Sequence, residues 1–205
     1  MPRNAVTTRD LILDAALSVI HTIGLGRSTT KQIAARADLS EAALYRHFSD
    51  KAELFLCVIA ERLPQLSMAL QDLTGQVGHR SVRANLEDIA RVALPFYNET
   101  LPIVTSLFAE QDLLAQHQAR MRSNNIGPHR ALEQLAAYLR AEQRLGRVSP
   151  RSDPEAAAAL LLGACQTRAL TRRFLGESDP PASDERFVKS VVRTLLEGLA
   201  VDSQD

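Results

Sequence analysis

Residues 29–48 read TTKQIAARADLSEAALYRHF and contain two short helical segments separated by a turn. Thr29 and Gln32 have the spacing of a capping box, which predicts a helix start at this point. Asp38 tolerates the left-handed backbone conformation that a tight turn requires, and Ser40 is a good N-cap for the next helix. The segment therefore predicts a helix-turn-helix whose second helix begins at Glu41 and ends at His47 or Phe48.

Helical periodicity extends on both sides of this motif. Thr7 and Asp10 predict the cap of a first helix that Gly24 ends. A long amphipathic helix is predicted from Lys51 to about Leu73, with a kink at Pro64. The remaining predicted helices cover residues 82–100, with a kink or break near Leu94, and residues 102–122, 129–145, 154–174 and 184–199. No segment has the periodicity of a strand, so we predict an all-α fold of about nine helices.

Composition narrows the classes of function. The chain has 205 residues and no net charge, although its first 51 residues carry seven basic and five acidic side chains. Cys57 and Cys165 belong to no metal-spaced cluster, so no metal site and no cofactor are predicted. The longest apolar run, Ala156–Cys165, is about half of what a membrane span needs, and no signal peptide is recognisable. We expect a cytoplasmic protein with no membrane partner.

The predicted helix-turn-helix has one apolar face and one exposed face. Ile33, Ala37, Leu39 and Leu44 are placed to pack on the first helix, while the opposite face of the second helix is free for another molecule. The geometry suits a helix that lies in the major groove of DNA. A helix-turn-helix built only for packing also occurs in helical proteins, so a helical enzyme or small-molecule carrier remains an alternative at this point.

The same residues resemble the DNA-binding motif of the tetracycline-repressor (TetR) family. The resemblance covers roughly the first 60 residues and is carried by Thr29-Thr30, Ile33-Ala34, Ala37, Leu39-Ser40, Leu44-Tyr45, His47-Phe48, Lys51 and Leu54. It implies a homodimer on a palindromic operator of double-stranded DNA, with residues 41–48 of each subunit in the major groove. It also implies that Tyr45 and Lys51 contact phosphate. The predicted DNA-binding residues are Thr30, Ser40, Glu41, Ala42, Tyr45, Arg46, His47 and Lys51.

Physical chemistry supports these roles. The Thr30 hydroxyl can meet a phosphate as a positioning contact, whereas base reading falls to Glu41, Ala42 and Arg46. Many family members carry a basic or small residue in place of Glu41. The Glu41 carboxylate is expected to lie close to DNA phosphates, unless it accepts a hydrogen bond from a cytosine. Arg3 and Arg9 form either an arm on DNA or a solvated tail.

The division into domains follows from the motif. We expect a DNA-binding domain over residues 1–50 and a ligand-binding and dimerisation domain over residues 51–205. In the family the middle helices enclose an effector pocket, and the mixture of side chains here suggests a small, largely apolar effector, with Arg168 leaving open a carboxylate. Ordinary core packing is the alternative for each candidate. The candidates are Phe96, Tyr97, Phe108, Gln111, Met121, Cys165, Gln166 and Arg168.

The last two predicted helices carry more apolar residues than one buried face needs. Paired across a two-fold axis, they would form a four-helix dimer interface. The predicted interface residues are Ala157, Leu160, Leu161, Ala164, Val188, Val191, Val192, Leu195 and Leu199. Together these predictions describe a non-enzymatic regulator, in which a ligand changes the spacing of the two DNA-binding heads. The resemblance implies a repressor that the ligand releases from DNA, with an activator as the alternative. A scaffold that uses the same helices to bind a different protein is a further alternative.

Overall fold

The computed structural model describes residues 7–63, 65–108, 111–176 and 181–198, except for the side chains of Ser106, Leu113, Pro181 and Ala182. Within these residues the chain forms ten α-helices and no strand, which confirms the predicted all-α fold. When α4 and α5 are counted as the single kinked helix of the prediction, the number is nine. The helices are α1 Thr8–Ile23, α2 Thr30–Arg36, α3 Glu41–Tyr45, α4 Lys51–Arg62, α5 Gln65–Leu73, α6 Val82–Leu107, α7 Gln111–Asn124, α8 Pro128–Arg144, α9 Pro154–Leu175 and α10 Pro181–Glu197.

Side-chain caps begin several of these helices where the sequence predicts them. Thr7 and Asp10 form a capping box at the start of α1, and Thr29 and Gln32 form another at the start of α2. Asp50 accepts a hydrogen bond from the backbone N–H of Glu53 at the start of α4. Each cap satisfies a backbone donor that the first helical turn leaves unpaired, which makes helix starts the most predictable boundaries of this chain.

The chain divides into two compact units. The first unit contains the described residues up to Leu63 together with Glu99–Ile126. In it α1 packs on α2 and α4, α2 packs on α3, and α4 packs on α7. Its fully buried side chains include Ile12, Leu13, Ile20, Leu25, Ile33, Leu44, Phe48, Leu54, Phe55 and Val58.

The second unit contains Gln65–Asn98 and the described residues from Gly127 onward. In it α8 packs on α5 and α9, and α9 packs on α10. The core of this unit is formed by apolar side chains from five helices, including Leu70, Leu86, Ala90, Leu135, Leu139, Leu161, Cys165, Val188 and Val192. No helix in the described ranges combines the length and the apolar character that crossing a bilayer requires.

Of the kink or break predicted near Leu94, the break was wrong, and so was the helix start predicted at Pro102. Helix α6 continues through Pro95 and Pro102 to Leu107, and the next helix begins only at Gln111. Because Pro102 has no N–H, it cannot bond to the carbonyl of Asn98 four residues earlier. The guanidinium of Arg173 donates to that carbonyl instead, from Nε at 3.1 Å and from Nη2 at 2.6 Å. This contact between α6 and α9 compensates for the missing backbone bond.

The predicted long helix from Lys51 to Leu73 is interrupted rather than only kinked. Helix α4 ends at Arg62, and Leu63 has the non-helical backbone angles φ −126° and ψ 49°. The residue before a proline is pushed away from the helical conformation, which accounts for the stop at this position. Pro64 itself lies outside the described residues.

Candidate nucleic-acid interface

The turn between α2 and α3 has the geometry that the sequence predicts. Asp38 has a φ of +58°, in the left-handed region that aspartate tolerates. The backbone N–H of Leu39 donates to the carbonyl of Ala34 at 2.9 Å, and the hydroxyl of Ser40 accepts from the N–H of Ala43 at 3.1 Å. These bonds fix the direction in which α3 leaves the turn.

Helix α3 has a buried and an exposed face. Ala43 and Leu44 are buried in the first unit, as is Phe48 just beyond the helix. The opposite face, together with the two residues that follow the helix, consists of five exposed residues, and all of them are predicted DNA-binding residues: Glu41, Ala42, Tyr45, Arg46 and His47. Tyr45 is the largest of them and is 48% exposed although it is aromatic.

Three of the predicted DNA-binding residues contact one another. The hydroxyl of Thr30, at the start of α2, donates to the carboxylate of Glu41 at the start of α3. The same hydroxyl lies 3.3 Å from the hydroxyl of Tyr45. Thr30 is only 9% exposed, whereas Glu41 and Tyr45 are both exposed. The sequence places these residues near one another along two helices, but only the structure shows that they are hydrogen-bonded.

The start of α4 is held by a residue that sequence reasoning missed. Arg120 of α7 donates from Nη2 to Asp50 Oδ2 at 2.5 Å and to Ser49 Oγ at 2.7 Å. Burial alone would raise the pKa of Asp50, but the bonds from the Glu53 N–H and from Arg120 outweigh it and lower that pKa. No local signal identifies Arg120, because its partners lie about 70 positions earlier in the chain.

Two further basic residues of the first unit have apolar contacts. Lys51, predicted to contact phosphate, is half-buried with its Nζ 5.5 Å from the ring centroid of Phe55. Arg9 lies in α1, where it forms an ion pair with Glu61 and stacks 5.1 Å above the ring of Phe48. Arg9 is therefore part of neither a DNA-binding arm nor a solvated tail, because it lies in α1 and its charge pairs with Glu61 within the unit. Arg3 lies outside the described residues.

The predicted effector residues are divided between the two units. Phe108, Gln111 and Met121 belong to the first unit, and Phe108 is 66% exposed. Gln111 is exposed as well, whereas Met121 is half-buried. A shallow depression of about 120 Å³ lies in the second unit, but none of the eight candidates lines it. It is also smaller than the roughly 300–1,000 Å³ of typical ligand pockets.

The other five candidates lie in the second unit. Phe96 and Tyr97 are half-buried, with their rings edge-to-face at 5.4 Å, and Cys165 is buried. Burial raises the pKa of Tyr97 to about 12 and that of Cys165 to about 12, so both are neutral at physiological pH. Gln166 is exposed. These surroundings are apolar, as an apolar effector would require.

Arg168 is held by neighbours within the second unit. Its Nε donates to Asp184 Oδ1 at 3.1 Å, its Nη2 donates to Ser183 Oγ at 2.7 Å, and its guanidinium lies 4.6 Å from the ring centroid of Phe187. A carboxylate ligand would have to compete with Asp184 for this guanidinium. Arg168, predicted to bind a carboxylate of the ligand, thus already binds the carboxylate of Asp184 in its own chain.

The predicted dimer residues fall into two groups. Leu161, Val188 and Val192 are buried in the core of the second unit, where they pack against the same chain and are not available to a partner. Ala157, Ala164, Val191 and Leu195 are half-buried, Leu160 is 64% exposed, and Leu199 lies outside the described residues.

Helix α9 exposes apolar residues that sequence reasoning missed. Phe174 is 81% exposed, and Leu170 is exposed as well. At 100° per residue, the helical period aligns one set of small and apolar residues in a single stripe along α9. We call Ala156, Leu160, Gly163, Thr167, Leu170 and Phe174 the α9 stripe. The spacing was visible in the sequence, but which face of α9 the core covers was not.

No group of three or more His, Cys, Asp or Glu side chains that could hold a metal ion occurs in the described part of the chain.

Comparison with known proteins adds two family matches. Residues 12–58 match the model for bacterial regulatory proteins of the tetR family, and residues 109–198 match the model for the C-terminal domain of AefR-like transcriptional repressors. The HTH-type transcriptional repressor BepR of Brucella suis biovar 1 (strain 1330) is 28% identical over 183 residues. That alignment covers 84% of this chain and 81% of BepR.

Solved structures share the fold over nearly the whole chain. A TetR-family transcriptional regulator from Mesorhizobium loti MAFF303099 aligns with a TM-score of 0.75 at 21% identity, covering 98% of this chain and 100% of the other. The regulator FadR from Bacillus subtilis, in complex with stearoyl-CoA, aligns with a TM-score of 0.69 at 19% identity. That alignment covers 93% of this chain and 98% of FadR.

Proposed function

Because the chain belongs to the TetR family of transcriptional regulators, we propose that it is a repressor of a palindromic operator, released by a small, largely apolar effector. As a member of this family the protein is a DNA-binding transcriptional regulator and not an enzyme. The proposal adds the operator symmetry, the dimer, the effector class and the contact residues. Its place of action would be the cytoplasm, where bacterial DNA lies.

The exposed face of α3 is the observation that carries the DNA-binding part of the proposal. Arg46 and Ala42 stand on it free to meet base edges, since Arg can pair with guanine and Ala can contact a thymine methyl group. Tyr45 and Lys51, with the hydroxyl of Thr30, are assigned to the phosphate backbone. Ser40 acts mainly by capping α3. His47 is exposed and stays a candidate for either kind of contact.

The α9 stripe supports a homodimer. A surface with exposed Leu160, Leu170 and Phe174 has an unfavourable free energy in water, and a second copy of the same stripe would cover it. Gly163 and Thr167 are small and would let two α9 helices approach closely. Leu195 and Leu196 of α10, half-buried and exposed respectively, would extend the interface. Leu161, Val188 and Val192 are left out, because the core already covers them.

The effector would act by shifting the dimer between two forms. A dimer of this kind binds two half-sites about 34–36 Å apart. A ligand that binds more tightly to a form of the dimer with a different spacing therefore lowers the affinity for DNA. The apolar surroundings of Phe96, Tyr97 and Cys165 support an apolar ligand. FadR, which shares the fold, binds stearoyl-CoA in its crystal structure, and this supports the same class of ligand.

The test is DNA binding by the purified protein. A genomic selection with the full chain would recover its operator, and fluorescence anisotropy at two salt concentrations would measure affinity for that duplex. We expect affinity to fall steeply with salt, because each phosphate contact releases counterions. Tyr45→Ala and Lys51→Ala should each weaken binding, whereas Lys189→Ala, on the exposed face of α10, should not. Absence of selected DNA from the full chain would reject the proposal.

A further inference from the structure

Glu41 forms an unexpected contact for a residue on a DNA-binding face. Its carboxylate accepts the hydrogen of the Thr30 hydroxyl. A threonine hydroxyl has one hydrogen to donate, so in the 3.3 Å contact between Thr30 and Tyr45 the tyrosine hydroxyl must be the donor. The two hydroxyl groups thus form a hydrogen-bond chain that runs from Tyr45 through Thr30 and ends on Glu41.

This chain uses the donors that the proposed function assigns to DNA. Phosphodiester oxygens only accept hydrogen bonds, so Thr30 and Tyr45 can contact them only by donating their hydroxyl hydrogens. In the free protein both hydrogens are directed within the protein. A carboxylate and a phosphodiester are alike in this respect, because each presents anionic oxygens that accept from the same hydroxyls.

The low exposure of Thr30 indicates which side chain must move before a phosphate can reach its hydroxyl. Thr30 is 9% exposed, and its hydroxyl is bonded to two side chains that are themselves exposed. A phosphate can reach the Thr30 hydroxyl only after the Glu41 carboxylate has moved away. If Glu41 stayed in place, its negative charge would lie next to the phosphate and repel it.

We propose that Glu41 is an internal mimic of a DNA phosphate, which occupies the phosphate site of Thr30 and Tyr45 in the free protein and must be displaced when DNA binds. This inference rests on the proposed function. It assigns Glu41 a role that lowers affinity for every DNA sequence alike, in place of the cytosine contact considered from the sequence. Such a competitor would reduce binding to random DNA and leave the ratio between operator and random DNA unchanged.

The first measurement compares Glu41→Ala and Glu41→Gln with the wild-type protein. Affinity would be measured by fluorescence anisotropy on the selected operator and on a random duplex of the same length. We expect each variant to bind both duplexes about 3- to 10-fold more tightly, the range of one typical intramolecular hydrogen bond. Asp38→Asn is the matched control, because it removes one exposed negative charge from the same motif and keeps a residue that tolerates a positive φ. It should change affinity by less than either Glu41 variant.

A double-mutant cycle with Thr30 separates the mimic from simple charge repulsion. In the wild-type background Thr30→Val should weaken binding by about 2-fold or less, because DNA must compete with Glu41 for that hydroxyl. In the Glu41→Ala background the same change should weaken binding by about 5-fold or more, because the hydroxyl is then available to phosphate. Thermal unfolding of all variants would show that each is folded.

Two results would overturn the inference. Equal effects of Thr30→Val in both backgrounds would mean that Glu41 does not compete for the hydroxyl. Loss of operator affinity in Glu41→Ala, with random DNA unaffected, would make Glu41 a base-reading residue. Failure of the proposed function would look different, since the wild-type protein itself would then bind neither duplex.

Discussion

The exposed faces of α3 and α9 differ in the chemistry of the partner that each could accept. On α3 most of the exposed groups are polar, and Thr30, Glu41 and Tyr45 are joined by hydrogen bonds. In the α9 stripe the residues are small or apolar, with Phe174 at 81% exposure. Leaving a hydrogen-bonded polar face in water costs little free energy, whereas covering an apolar face lowers the free energy. The two helices therefore suit different partners, a phosphate backbone for α3 and a second copy of the chain for α9.

The largest expected effect would come from placing a charge on the α9 stripe. Leu160→Glu should yield a monomer, because burying an unpaired carboxylate in an apolar interface is costly. Operator affinity should then fall about 100-fold or more, since the two half-sites are no longer linked. Sedimentation velocity and anisotropy would measure the two effects. Met68→Glu, at a similarly exposed apolar residue of α5, is the control, and a dimeric Leu160→Glu protein would contradict the assignment.

A smaller effect should follow from a change on α3. Arg46→Ala should cost about 1–3 kcal/mol on the operator and much less on random DNA, because it removes a base contact rather than a phosphate contact. Competition anisotropy with both duplexes measures the ratio. Arg36→Ala in α2 is the control, since its guanidinium donates to Ser18 Oγ at 3.2 Å within the first unit. Equal losses on both duplexes would show that Arg46 contacts only the backbone.

The start of α4, just beyond the α3 face, is supported by α7, and loss of this support should have a weaker effect still. Arg120→Ala removes the bonds to Ser49 and Asp50 at the start of α4. Both partners of the ion pair are partly exposed, so the free energy of unfolding should fall by only about 0.2–1 kcal/mol. Urea unfolding would measure it, with Arg122→Ala on the same helix as the control. No difference between the two variants would mean that the pair adds nothing to stability.

The smallest expected effect is a pH dependence of stability that arises from a histidine of the first unit. His117 of α7 is buried, its Nδ1 has no hydrogen-bond partner among the described residues, and burial lowers its pKa below 6.5. The unfolded chain therefore binds a proton more readily than the folded one, and the free energy of unfolding should decrease as pH falls through 6.5. Melting curves between pH 7.5 and 5.5 should show a shallower decrease for His117→Leu than for the wild-type protein. His47→Leu is the control, and identical slopes for wild type and His117→Leu would contradict the prediction.

The capped helix starts and the helix-turn-helix could be predicted because their signals are local. Thr29 with Gln32, Asp38 and Ser40 each act within a few residues, through hydrogen bonds or through a backbone conformation that their own side chains permit. The exposed face of α3 was predictable for a similar reason, since helical period places Glu41, Tyr45 and Arg46 opposite the apolar residues.

The continuity of α6 and the identity of the buried apolar residues could not be predicted. Pro102 lies inside α6, and Arg173, 71 positions later, donates to the Asn98 carbonyl that Pro102 leaves without a backbone partner. Leu160 and Leu161 are neighbours of the same type, yet one is 64% exposed and the other fully buried. Periodicity indicates that α9 has two faces, but not which of them the core of its own chain covers.

Local sequence thus determined the family motif, the positions of the helix starts that side chains cap and the outward face of α3, because capping bonds, turn conformations and helical period all act over a few residues. Tertiary structure alone decided that Arg120 bonds to Asp50, that Asp184 engages Arg168 and that Glu41 accepts from Thr30. Each of these contacts joins residues that different helices bring together. The physical reason is that hydrogen bonds and ion pairs depend on distances of a few ångströms, which helical period within a single segment does not specify.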